Sequence, residues 1–172
     1  MNKNIIIVFG ILAILGWFLM FGLGIFVASK PYREQLLQAF EWKAFFVSLL
    51  TYTPTNIAVL CELAAFGGGC ASQLVITTAS RFRADDSQAK MDISDSEIYM
   101  QESPVSSMLR GFVVYISFLA GVYVGTNAPF AEPTQEQYAR VAGTISLLAF
   151  VVGYDPTLFR QLLSLGAKLK RE

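Results

Sequence analysis

The chain reads as an all-α integral membrane protein, with four transmembrane helices and short amphipathic interfacial helices. Three observations lead there. Only 15% of its 172 residues are charged and 54% are hydrophobic, against about a quarter charged in a soluble domain. The charge deficit is concentrated in four apolar runs, at residues 5–29, 44–66, 108–128 and 137–154, each near the length that crosses a bilayer. A single long polar stretch, residues 81–104, lies between the second and third runs. The whole chain, 1–172, is therefore one transmembrane domain.

The first run, residues 5–29, carries no charge. It exceeds the apolar core of a signal peptide, about 7–15 residues, so an uncleaved helix is expected. Between Lys30 and Lys43, Leu36, Leu37, Phe40 and Trp42 alternate with Glu34, Gln35, Gln38 and Glu41. That pattern predicts a short amphipathic helix on the bilayer surface, with Tyr32 and Trp42 at headgroup level.

The second run, residues 44–66, is predicted to be a span kinked by Pro54, which frees a carbonyl near Leu50. Thr51, Thr53 and Thr55 are expected to satisfy it. In steps of three and four the run reads Ser48, Thr51, Thr55, Ala58, Glu62, Ala65 and Gly69. All but Glu62 are small, so this face predicts either close helix packing or a wet lining. Ser48, Thr51, Thr55, Asn56 and Glu62 are the candidate pathway or packing residues. An acid at membrane depth is expensive and marks a functional candidate.

Gly67, Gly68 and Gly69 follow. Three glycines in a helix interior cost roughly 3 kcal/mol relative to alanine, which predicts a helix break or a close backbone approach. Residues 70–80 are too few to span, and a helical extension into the cytoplasm is favoured over a re-entrant piece. The loop at 81–104 carries six acids and three bases. Its Asp92, Asp95 and Glu97 lack the glycine and spacing of an EF-hand.

The third run, residues 108–128, places Ser117, Gly121 and Gly125 four apart, a face for helix crossing. The fourth, residues 137–154, ends at Asp155-Pro156, an N-cap followed by Pro at the first helical position. An amphipathic helix is expected over 156–169, continuing into Lys168, Lys170 and Arg171. Pro54, Gly67, Gly68, Gly69, Asp155 and Pro156 are thus the expected helix breaks.

Four spans put both termini and the middle loop on one side, with nine of the 13 Lys and Arg residues. The positive-inside rule makes that side cytoplasmic, in a membrane of the bacterial inner (plasma) type.

Zero net charge, from 13 bases and 13 acids, argues against nucleic-acid binding, which needs a basic excess. The chain has no His, so the usual general base and commonest metal ligand are missing. Cys61 and Cys70, nine apart, fit no zinc or haem spacing and read as packing residues. No catalytic, cofactor or metal site is expected. The expected function is a homo-oligomeric cation channel or pore lined by the second span. The alternative is a non-transporting scaffold or an accessory subunit of a larger membrane complex. Expected partners are the lipid bilayer, further copies of the chain, and a cytoplasmic partner reached through 81–104 or the basic C-terminus.

Overall fold

A computed structural model describes residues 3–83, 103–125 and 134–161. The helices are α1 (Lys3–Phe26), α2 (Lys30–Gln38), α3 (Trp42–Thr51), α4 (Thr53–Arg83), α5 (Pro104–Gly125) and α6 (Gln135–Tyr154). Residues 156–161 are helical again, and no strand occurs among the described residues. Three helices, over Lys3–Phe26, Thr53–Thr78 and Pro104–Tyr123, are long and apolar enough to cross a membrane. They point to a membrane location. The fourth expected span falls within α6, which is not one of those three; its first turns, QEQYAR, carry Glu136 and Arg140. Residues 84–102 of the expected loop, the end of the third run past Gly125 and the C-terminal helix past residue 161 lie outside the described residues.

The first span ends at Phe26, three residues before the expected boundary. Ser29 already sits at the N-cap of α2, and Pro31 occupies its first turn, where a missing N–H costs nothing. The second run is not one kinked helix. α3 stops at Thr51, Tyr52 is extended (φ −66°, ψ 123°), and α4 starts at Thr53. Pro54 has no N–H to offer the Leu50 carbonyl, and its ring would clash with it. The segment long and apolar enough to cross a membrane is consequently Thr53–Thr78 and not 44–66. α3 has only 10 residues.

The three glycines do not interrupt α4, which runs unbroken to Arg83. The other half of the expectation holds for Gly68 and Gly69, which allow close approach, and not for Gly67, where a Cβ would meet nothing within 4 Å. A Cβ on Gly68 would meet the Phe150 carbonyl and lie 2.8 Å from the Tyr154 nitrogen. A Cβ on Gly69 would lie 2.8 Å from the Ser107 Cβ. Residues 70–80 are a helical continuation.

α6 begins two residues before the expected run. Thr134 and Gln137 form a capping box: Gln137 N donates to Thr134 Oγ1 at 3.2 Å, and Thr134 N donates to Gln137 Oε1 at 3.1 Å. The reciprocal pair satisfies two otherwise orphaned donors. At the other end, Asp155 accepts from Thr157 N at 2.8 Å and from its hydroxyl at 2.7 Å, capping the helix that Pro156 begins.

α4 is the centre of the bundle and packs against α1, α5 and α6. The start of α4 meets the end of α1 and the start of α6; its glycines meet the start of α5 and the end of α6. The four long helices thus alternate in direction. The buried line of α6 is Tyr138, Ala142, Ile145, Ala149 and Val152, spaced four, three, four and three. α4 answers with Ile57, Leu60, Cys61 and Ala65. This is the heptad-like spacing of helices that cross at a small angle. α1 contributes one residue per heptad, Ile6, Ala13 and Met20. Its Leu15, Phe18 and Leu19 face outward, as expected where lipid is the solvent.

The α4–α6 crossing depends on absent side chains. A Cβ on Gly153 would sit 2.7 Å from the Ala65 Cα, and backbone cannot yield as a side-chain tip can. Gly153→Ala should therefore destabilise the fold by about 1–3 kcal/mol, the usual cost of overpacking. Gly22→Ala, where nothing lies within 4 Å, should be neutral. Thermal unfolding of both variants in detergent checks the pair.

Candidate functional site

The polar residues of the second run converge on the break between α3 and α4. Thr51 Oγ1 donates to the Val47 carbonyl at 2.7 Å, one turn back in its own helix. Thr55 Oγ1 donates to the Leu49 carbonyl and, at 3.0 Å, to that of Tyr52. Asn56 is fully buried and does most. Its Nδ2 donates to the Leu50 carbonyl at 2.6 Å and to the Met20 carbonyl at 2.9 Å. Its Oδ1 accepts from the Tyr138 hydroxyl at 2.5 Å. One amide thereby ties α1, α3, α4 and α6 together. The carbonyl freed by Pro54 is taken by Asn56, not by the threonines expected to take it. Tyr138 approaches because Gly24 leaves room: a Cβ there would overlap the ring.

Beside this junction is a cavity of about 760 Å³ between the end of α1, α2, the break and the start of α6. Arg33, Thr51, Tyr52, Thr53, Gln135 and Tyr138 are among its lining residues. The Arg33 guanidinium lies over the Tyr52 ring, 4.6 Å from the centroid. Gln135 Nε2 donates to the Ile25 carbonyl at 3.3 Å. The extended backbone at the break thus lines this cavity on one side, while Thr51, Thr55 and Asn56 take up carbonyls around it on the other.

The proposed polar stripe does not survive as one face. Ser48 and Thr51 are buried, whereas Thr55, Ala58 and Glu62 are half-buried on the flank of α4. Counting in threes and fours across Tyr52 assumes one continuous helix, and the extended residue separates the phase of Ser48 and Thr51 from that of Thr55 to Gly69 in α4. Within α4, the stripe joins the buried line with Ile57 and Cys61 only from Ala65 onward. Glu62 has no hydrogen-bond or ion-pair partner among the described residues. Cys61 and Cys70 are buried free thiols.

At the opposite end of the bundle, Ser107 and Arg110 of α5 are buried. Ser107 Oγ donates to the Gly153 carbonyl at 3.2 Å, and Arg110 Nη2 donates to Ser107 Oγ at 2.9 Å. The guanidinium is also 3.5 Å from the Gly153 carbonyl, one of the last carbonyls of α6, where a cation suits the helix dipole. Sequence reasoning counted Arg110 only as a charge on the inner side. The signal was available: Arg110 lies three residues after Ser107 inside an apolar run.

Ser117 Oγ donates to the Val113 carbonyl at 2.8 Å, and a Cβ on Gly121 would meet nothing within 4 Å. The Ser117–Gly121 face is therefore not covered by any of the described residues, and Gly125 is the last residue of α5. Among the described residues no group of three or more His, Cys, Asp or Glu could hold a metal ion.

No protein-family model, characterised protein or solved structure matches the chain.

The Asn56 junction makes a measurable statement about coupling. Tyr138→Phe should cost about 1–3 kcal/mol, because Oδ1 loses its donor in a buried setting. Asn56→Ala should cost more, since two backbone carbonyls and the tyrosine hydroxyl lose partners at once. The double variant should cost clearly less than the sum of the two. Equilibrium unfolding in mixed micelles measures all three.

Proposed function

We propose that this chain is a four-span membrane protein of the bacterial inner-membrane type that acts as a non-transporting scaffold or accessory subunit. Both termini lie in the cytoplasm, and the fourth span is α6. The observation that carries the reading is the fate of the polar residues in the second run. Thr51, Thr55 and Asn56 direct their polar groups to carbonyls around the break, and Ser48 is buried. Groups so engaged hold a helix junction closed and do not line a water-filled path.

Assembly with further copies would use the Ser117–Gly121 face of α5, which no described residue covers, since small residues allow two helices to approach closely in lipid. A cytoplasmic partner would reach the protein through 81–104 or the basic C-terminus.

One observation favours the second reading, a cation pathway. Glu62 is half-buried on the flank of α4 and has no described partner. A ring of such acids, one per copy, would favour cations.

Cation flux in liposomes separates the two. Wild type and Glu62→Gln should both give flux no greater than protein-free vesicles. A wild-type flux that falls in Glu62→Gln, with oligomer size unchanged, would sink the scaffold reading and support the pathway.

A further inference from the structure

The cavity of about 760 Å³ beside the α3–α4 break has a definite depth. Phe26 and Thr53 both line it. Phe26 ends one of the segments able to cross a membrane, and Thr53 begins another. A cavity bounded by the ends of two such segments sits where hydrocarbon gives way to headgroups.

Its lining is of two kinds. Lys30 and Arg33 bring two positive charges and Glu34 one negative charge, which leaves one positive charge over. Phe26 and Leu37 line it too, although they are 82% and 88% exposed, the highest values among the large hydrophobic side chains of the described residues. Apolar surface left open in this way marks a site of contact with membrane or partner. Cations beside open apolar side chains match an amphiphile with an anionic head.

Arg33 is the main donor. Its guanidinium lies over the Tyr52 ring and makes no hydrogen bond or ion pair among the described residues. Stacking uses the face of a guanidinium and leaves its planar N–H fork available, the geometry that holds a phosphate through two parallel bonds. The amino ends of α2 and α4 border the same space at Lys30 and Thr53 and add partial positive charge.

We propose that this cavity binds the phosphate of an anionic phospholipid, with its acyl chains laid over Phe26 and Leu37. The volume falls within the range of small-molecule sites, about 300–1,000 Å³. A zwitterionic headgroup fits less well, because it would set its own ammonium beside Lys30 and Arg33. The inference rests on the membrane location and on neither the scaffold nor the pathway reading.

The full chain in a non-ionic detergent is titrated with dioleoylphosphatidylglycerol and followed by native mass spectrometry. Wild type should retain one lipid per chain, saturably. Arg33→Gln should raise the half-saturation point about tenfold, the effect of one charge-assisted hydrogen bond. Arg33→Lys keeps the charge without the fork and should fall between the two. Arg140→Gln is the control: Arg140 lies at the same end of the bundle, pairs with Glu136 and has a side chain 77% exposed, but does not line the cavity. Its half-saturation should match wild type. Unchanged elution volume and unfolding temperature in lipid-free detergent show that each variant is folded. An Arg33→Gln variant that binds like wild type, or that is weakened no more than Arg140→Gln, would overturn the proposal. Equal retention of dioleoylglycerol, which has no phosphate, would make the site merely apolar and overturn it too. Glycerol 3-phosphate that displaces the lipid at equal concentration would assign the cavity to a soluble anion instead. Lipid retention that vanishes as the chain dimerises would assign it to a second copy.

Discussion

Everything at one end of this bundle rests on a single buried amide. Pro54 breaks the chain's second apolar run and leaves carbonyls that no helix satisfies. In water such groups would be solvated cheaply; in lipid each would cost several kcal/mol. Asn56, two residues after the proline, offers two donors and an acceptor. It answers the Leu50 carbonyl locally and reaches Met20 on α1, while Tyr138 of α6 donates to it. The break that threatens the fold thus becomes the place where three distant segments meet. A simple hydrophobic side chain at position 56 could pack there but could not close that account.

The opposite end works by different means. Gly68, Gly69 and Gly153 bring α4, α5 and α6 into contact almost at backbone distance. Gly111 adds to this, since a Cβ there would lie 2.7 Å from the Cys61 carbonyl. Ser107 and Arg110 then take up the buried Gly153 carbonyl. In hydrocarbon the hydrophobic effect does not drive helices together, and packing and hydrogen bonds do so instead. α4 is fixed by hydrogen bonds at one end and by shape at the other.

Much of the fold was legible in the sequence because lipid as solvent is a strong constraint. The charge-free run behind α1, the short helix after it and the Asp155-Pro156 restart all follow from composition and capping chemistry. The misses have definite causes. Pro54 was read as a kink, yet Tyr52 leaves helical geometry altogether, and that shifted the phase of every residue behind it. The stripe from Ser48 to Gly69 is for that reason split, with Ser48 and Thr51 in α3 and the rest in α4. Gly67 to Gly69 were weighed by intrinsic helix propensity, and tertiary contact outweighed the penalty. The Asn56 junction and the Ser107–Arg110 pair needed partners more than 30 residues away, which local periodicity does not register. The Thr134–Gln137 capping box, by contrast, was present in the sequence and went unread.

The unbroken length of α4 has a consequence of its own. Its 31 residues extend about 46 Å at 1.5 Å per residue, while the hydrocarbon core of a typical bilayer is about 30 Å thick. A rod that long, with no hinge at its glycines, must lean or project beyond the lipid. A thinner membrane forces more of it out, and a thicker one draws it upright, at a modest cost for each ångström of mismatch. Because α1, α5 and α6 are all fastened to α4, bilayer thickness acts on the whole protein through this one helix.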